Sequence, residues 1–243
     1  MPVIEAEGPQ GDKITGMIRF EQVSKRYAGG KTALAELNFR IEPGSMVFLT
    51  GHSGAGKSTL LRLIMMLERS TRGQVVVAGR NLTKTPDKNA ALVRQQIGMI
   101  FQDHKLLNDK TVSDNVALPL MIAGLRYSDI RKRVRAALDK VGLLDREKSW
   151  PLALSGGEQQ RVGIARAIVS MPPILLGDEP TGNLDPDLSE ELFGLFKEVS
   201  ELGTTVLIAS HDLALVRKMG QRVLVLSNGR LIDDVPPAAI RRA

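Results

Sequence analysis

The chain has 243 residues, 33 Lys and Arg against 27 Asp and Glu, a formal net charge of +6 and no cysteine. That length can bury a substantial core as one large α/β domain or two small ones, and the missing thiols exclude a disulfide framework and a thiolate metal site. No apolar run approaches the roughly 18 residues of a membrane span, and even residues 60–67 are short and interrupted by Arg62. A reducing compartment, the cytoplasm, is the expectation. Residues 1–16 lack a basic start followed by an apolar region, so they read as a polar, flexible N-terminal tail and not as a secretory signal.

Residues 18–23 and 37–41 alternate with period two, which predicts half-buried antiparallel strands in a front sheet. The apolar run 46–50 enters Gly51-His52-Ser53-Gly54-Ala55-Gly56-Lys57-Ser58, and residues 57–67 have helical character. A glycine-rich loop between strand and helix is a phosphate loop: its backbone N–H groups close around phosphate oxygens, Lys57 reaches the β- and γ-phosphates, and Ser58 is a Mg2+ ligand with Thr59 beside it. Buried strands are predicted at 97–101, 174–177, 205–210 and 223–226, a largely parallel core sheet, with Asn228-Gly229 as a tight turn. Between 102 and 170 strand signals vanish, and helices are predicted at 112–123, 128–141 and 158–169. They make an inserted helical subdomain over about 103–170. The domain so outlined runs from 17 to 234, one α/β unit with two lobes. Residues 235–243, with Pro236-Pro237 and Arg241-Arg242, are expected to be a basic C-terminal tail. Arg126, Arg131, Lys132, Arg133 and Arg135 cluster at the predicted helix ending at Val141 and read as a solvated face, so no nucleic-acid partner is expected.

Two further strings narrow the chemistry. In Leu154-Ser155-Gly156-Gly157-Glu158, Ser155 and Glu158 have the spacing of a helix capping box, and the two glycines let backbone approach a phosphate closely. In Gly177-Asp178-Glu179-Pro180, a buried strand ends in two acids. With the phosphate loop, these strings make the chain resemble the ATP-binding-cassette ATPases over about residues 17–234. The resemblance implies a nucleotide-binding domain with a mostly parallel core sheet, an antiparallel front sheet and a helical subdomain, and ATP and Mg2+ as ligands. It implies that Gly51, Ser53, Gly54, Gly56, Lys57, Ser58 and Thr59 hold phosphates, and that Tyr27 stacks on adenine. Asp178 would act on Mg2+ through water together with Ser58, and Gln102 would sense metal and water. Glu179 would polarise the attacking water, with His211 and Lys57 at the γ-phosphate. By the same resemblance Ser155, Gly156 and Gly157 contact the γ-phosphate held by a second copy, giving a head-to-tail homodimer around two ATP molecules. Gly182-Asn183-Leu184-Asp185 would carry communication between the copies. Gly177 departs from the larger apolar residue commonly found at its position, which puts the packing of that strand in question.

Glu158-Gln159-Gln160-Arg161-Val162 and Thr181-Gly182-Asn183-Leu184-Asp185 are shared with the cassettes of lipoprotein release and macrolide export. The string from Phe101 to Leu107, followed by Thr111 to Ala117, most resembles the bacterial cell-division cassettes. That resemblance implies an integral membrane partner, docking near residues 102–120 at the cytoplasmic face of the inner membrane. Leu106, Leu107 and Leu118 are candidates for the lining of that groove or for core positions of the helical lobe. An exporter ATPase would share every catalytic residue and differ only over about 103–123. A DNA-repair or chromosome-organising ATPase fits less well, because no coiled coil or zinc module separates Lys57 from Ser155. A non-hydrolysing scaffold would not need Lys57, Asp178, Glu179 and His211 together.

Overall fold

The computed structural model describes residues 16–182 and 184–240. The expected N-terminal tail lies, except for Gly16, outside the described residues. The elements run β1 (Ile18–Arg26), β2 (Thr32–Ile41), β3 (Met46–Thr50), α1 (Lys57–Ile64), β4 (Arg72–Val77), β5 (Arg80–Asn81), α2 (Ala90–Arg94) and β6 (Ile97–Ile100). Then follow α3 (Val112–Ile122), α4 (Tyr127–Lys140), α5 (Gly156–Ile168), β7 (Ile174–Asp178), α6 (Pro186–Glu201), β8 (Thr205–Ala209), α7 (Leu213–Met219), β9 (Arg222–Ser227), β10 (Arg230–Val235) and α8 (Pro237–Ile240).

A six-stranded sheet in the order β10-β9-β3-β8-β7-β6 is parallel except for the β9–β10 hairpin. The central strands β3 and β8 are buried at every position because both faces are covered, and successive side chains go to opposite layers, whereas the edge strand β10 is largely exposed. Met46 and Phe48 of β3 join the core under the helices, while Val47 and Leu49 face the front sheet. β8 divides the same way, Val206 and Ile208 against Leu207 and Ala209. The front sheet has the antiparallel order β2-β1-β4-β5, and α1 lies between the two sheets in one shared core. Phe20 and Phe39 stack across β1 and β2 with centroids 4.6 Å apart. Strand β4 was not expected. Its run of Val75, Val76 and Val77 is buried on both faces and so lacks the alternation that marks β1 and β2.

The helical lobe forms where strand patterning ceases. Both α3 and α5 start with capping boxes, Thr111 with Asp114 and Ser155 with Glu158. Asn115, fully buried in α3, holds the preceding loop: its amide donates to the carbonyls of Leu107 (3.0 Å), Lys110 (3.3 Å) and Thr111 (3.0 Å), and its Oδ1 accepts from Leu107 N (2.8 Å). Leu106 packs against the helical core, Leu118 is half-buried and Leu107 is exposed. The basic residues of α4 point to solvent, and Arg135 is paired with Glu147 at 2.7 Å.

The segment expected as a C-terminal tail from residue 235 begins with ordered elements. Val235 is the last residue of β10, paired with Val223, and α8 follows directly, with Val235 and Ile240 packed against the core under the helices. The two prolines that suggested a tail instead end the strand and open a short helix, since proline fits a first helical position. Arg241 and Arg242 lie outside the described residues. No helix among the described residues is long and apolar enough to cross a membrane.

Replacing Asn115 by Ala strands several buried backbone groups at once. It is expected to cost about 2–4 kcal/mol of stability, read from urea unfolding.

Candidate active site

The phosphate loop is shaped by its glycines. Gly51 and Gly56 have φ of 146° and 110°, and a Cβ would sit 2.3 Å from the Leu226 carbonyl oxygen in the first case and 2.7 Å from that of Ala33 in the second. No L side chain fits either position, so β9 and β2 press directly on the loop. Gly56 caps α1, and Lys57 at its first turn donates to Gly51 O (2.7 Å) and His52 O (3.4 Å). Lys57 is buried, with loop carbonyls as its recorded acceptors, and the helix start favours anions. This cradle fits a polyphosphate.

A cleft of about 800 Å³ opens over the loop. Into it come Tyr27, Gly51, Ser53, Gly54, Gly56, Lys57, Ser58, Thr59, Gln102, Glu179 and His211, eleven of the residues expected from sequence. Lys31, Thr32, Ala33, Asn228 and Gly229 line it as well. The Asn-Gly turn signalled only a hairpin in the sequence. In the fold it braces the loop, Gly229 N donating to Ala55 O at 3.0 Å.

Asp178 lies beside Ser58 at the back of this cleft, on the wall of a neighbouring groove of about 550 Å³ that also contains Gln102. Burial pushes its carboxyl above the usual aspartate range, and the Glu179 charge adds to this, against the opposing effects of the Ser58 hydroxyl, Lys57 and Arg62. A carboxylate held at this cost is suited to a cation. Among the described residues no cluster of three or more His, Cys, Asp or Glu side chains forms a metal cage. The Asp178 carboxylate and the Ser58 hydroxyl are oxygen donors side by side at the phosphate loop, which fits a hard cation such as Mg2+.

Glu179 occupies the left-handed region at φ 51°, a conformation that costs a non-glycine residue about 1–3 kcal/mol unless its surroundings impose it. Here they do: Glu179 N donates to Ala209 O at 2.9 Å, and the following turn closes through Gly182 N to Glu179 O at 3.3 Å. The turn aims the carboxylate into the cleft, with Oε2 3.2 Å from His211 Nδ1. Gly177, the departure noted in the sequence, has its reason in packing. A Cβ there would lie 2.7 Å from Ile208 Cδ1 and 3.2 Å from Pro180 Cγ, so neighbouring side chains fill the volume.

Tyr27 follows β1 at the rim of the cleft. Its hydroxyl donates to Glu68 Oε1 (2.7 Å) and lies 3.3 Å from Thr59 Oγ1, while Lys25 sits 5.0 Å from the ring centroid. Glu68, which nothing in the sequence marked, pins the ring. Burial would raise its carboxyl, but hydrogen bonds from Tyr27, Lys25 and Arg62 outweigh that and hold it below the usual range.

Ser155, Gly156 and Gly157 do not join the cleft. They form the outer N-terminal turn of α5, with Ser155 and Gly156 exposed. The Ser155 N–H and hydroxyl keep the Glu158 carboxyl below its usual range. Gly157 meets the Leu184 side chain, 3.1 Å from where a Cβ would stand. Of the communication segment, Asn183 lies outside the described residues.

A phosphate loop facing two strand-end acids, together with a glycine signature presented outward from a helical lobe, defines the nucleotide-binding domain of an ATP-binding-cassette ATPase. The model of the ABC transporter family matches residues 34–182, and the cell-division ATP-binding protein FtsE of Escherichia coli K12 is 58% identical over 219 residues, 90% of this chain and 99% of the relative. FtsE of Mycobacterium tuberculosis H37Rv is 46% identical over 219 residues, covering 90% of this chain and 95% of the relative. The ATP-binding cassette MJ0796, solved as a dimer in a post-hydrolysis state bound to ADP and Pi, superposes with a TM-score of 0.85 at 34% identity over 90% of this chain and 97% of that one. The chain therefore belongs to the ABC transporter family and, within it, to the FtsE cell-division ATP-binding proteins, and it is an ATP-hydrolysing subunit of that kind.

The folded protein holds the Asp178 proton more tightly than the unfolded chain does. The cost of the buried carboxylate therefore grows as pH rises past the ordinary aspartate range and persists at neutral pH. Asp178→Asn is expected to raise the Tm of nucleotide-free protein at pH 7, with the gain shrinking toward pH 4, while Mg2+-dependent ATPase activity is lost. Calorimetry across pH checks the first and phosphate release the second.

Proposed function

We propose that this chain acts as a head-to-tail homodimer enclosing two ATP molecules, and that it drives an integral membrane partner of the FtsX type from the cytoplasmic face of the bacterial inner membrane. In this reading ATP closes the dimer, hydrolysis opens it, and the partner relays the movement outward to activate peptidoglycan hydrolysis during division. The observation that carries it is the split constellation: loop, Glu179, Gln102 and His211 face one cleft, while Ser155 and Gly156 are exposed outside it, where a second copy's nucleotide could reach them.

Glu179 takes the proton of a water that attacks the γ-phosphorus, the bond to the β–γ bridging oxygen breaks, and ADP leaves with the electron pair. Lys57 and the loop N–H groups stabilise charge on the phosphate oxygens, which is worth most in a site sheltered from water. His211 holds the Glu179 carboxylate in line through its 3.2 Å contact. Ser58, Gln102 and Asp178 would hold Mg2+, which would supply positive charge against the negative charge of the phosphates. Tyr27, fixed by Glu68, would present its ring to adenine. For the membrane partner, the groove of about 550 Å³ beside Gln102 offers Leu67, Met99 and Phe101 as apolar lining, while Leu106, Leu107 and Leu118, the candidates from sequence, do not line it. A partner seated there would meet Gln102 at the start of the segment expected from sequence.

Glu179→Gln is expected to keep ATP binding and lower turnover at least about tenfold. Trapped with Mg-ATP in native membranes, it should retain an FtsX-like protein identified by mass spectrometry, whereas a lipoprotein or drug exporter would reassign the biological task. Ser155→Arg should bind ATP as a monomer and fail to dimerise. An ATP-induced dimer of that variant by light scattering would contradict the head-to-tail geometry.

A further inference from the structure

Two segments of left-handed backbone flank the signature helix, and one buried side chain joins them. His104 and Lys105, just after Gln102, have φ of 60° and 49°, and Glu179 has φ 51°. Arg166 of α5 clamps the first segment, donating from Nη2 to His104 O (2.6 Å) and from Nη1 to Lys105 O (2.7 Å). Gln160, one turn into the same helix and buried, bonds His104 Nδ1 through its Oε1 and donates from Nε2 to Pro180 O at 2.7 Å. Pro180 directly follows the catalytic carboxylate.

The direction of these bonds is fixed by chemistry. The proline carbonyl can only accept, so the Gln160 amide must turn its N–H2 toward it, and its oxygen must face His104. His104 Nδ1 therefore carries a proton and donates. Pro180 has no N–H of its own, so the turn after Glu179 is gripped on one side by Glu179 N to Ala209 O and on the other by this amide. We propose that His104 and Gln160 are positioning residues for hydrolysis. His104 orients the Gln160 amide, and the amide holds the Glu179-Pro180 turn in the conformation that aims the general base. The same chain joins the loop carrying Gln102 to that base within one protomer, without passing through nucleotide.

The test uses two isosteres at position 104, both of which tolerate left-handed backbone. Asn places an N–H2 where Nδ1 stands and can donate, whereas Asp can only accept, which draws the Gln160 N–H2 away from Pro180. In steady-state phosphate release by the full-length protein, His104→Asn should keep kcat within about twofold of wild type, and His104→Asp should lose about tenfold, the scale of a modest misplacement of a catalytic group. KM for ATP and the affinity for ATP should stay unchanged in both. Gln160→Glu, which still accepts from His104 but cannot donate to Pro180, should match His104→Asp, and the double variant should be no slower than either. If burying that carboxylate prevents folding, the two position-104 variants decide alone. Equal kcat for His104→Asn and His104→Asp would overturn the proposal, as would a loss in His104→Asp that appears in KM and ATP affinity and not in kcat.

Discussion

Parallel register in the core sheet is the constraint on which the rest of the molecule depends. Leu49 stands beside Ala209, Ala209 beside Asp178, and Gly177 beside Ile100, so four strands stop at one edge of the sheet. The residues just past those ends are Gly51, His211, Glu179 and Gln102. Segments separated by more than a hundred positions thus arrive in one cleft, as expected for ligand sites at the carboxyl ends of parallel strands. A slip of one residue in β7 would turn Asp178 toward the opposite layer and leave a charge in an apolar core.

The electrostatics follow from the same placement. Strand ends under two covered layers are poorly solvated, which is why the Asp178 carboxyl is pushed up while Lys57 remains buried among loop carbonyls. Opposite charges are kept apart and partly dehydrated, and a triphosphate with its cation satisfies both. The front sheet contributes stiffness. Tyr27 is tied to Glu68, and Glu68 lines the groove beside Gln102, so the Tyr27 ring and that groove share one carboxylate.

The helical lobe has a different physical character. It is organised by polar side chains that act as internal struts: Asn115 on the 107–111 loop, Arg166 on the 104–105 carbonyls, Gln160 between His104 and Pro180. Each replaces secondary-structure hydrogen bonds that an irregular segment cannot make for itself. Such struts let a loop hold strained backbone beside the catalytic turn while its outer surface stays free.

The sequence by itself determined the chemistry. Glycine spacing, a lysine at a helix start, two acids after an apolar run and a Ser-Gly-Gly-Glu cap are local patterns, because phosphate and metal binding demand particular backbone freedom and donors over a few consecutive residues. It also determined β3, β7 and β8, whose apolar runs are bounded by turns. Tertiary structure alone decided the partners of those residues. The left-handed turn at Glu179, the pinning of Tyr27 by Glu68, the struts from Gln160 and Arg166 and the packing of Ile208 and Pro180 over Gly177 all join positions distant in the chain. Strand β4 and the C-terminal helix belong with them. A strand buried on both faces, or a short terminal helix anchored on the core by Val235 and Ile240, takes its meaning from neighbours that no local pattern reveals.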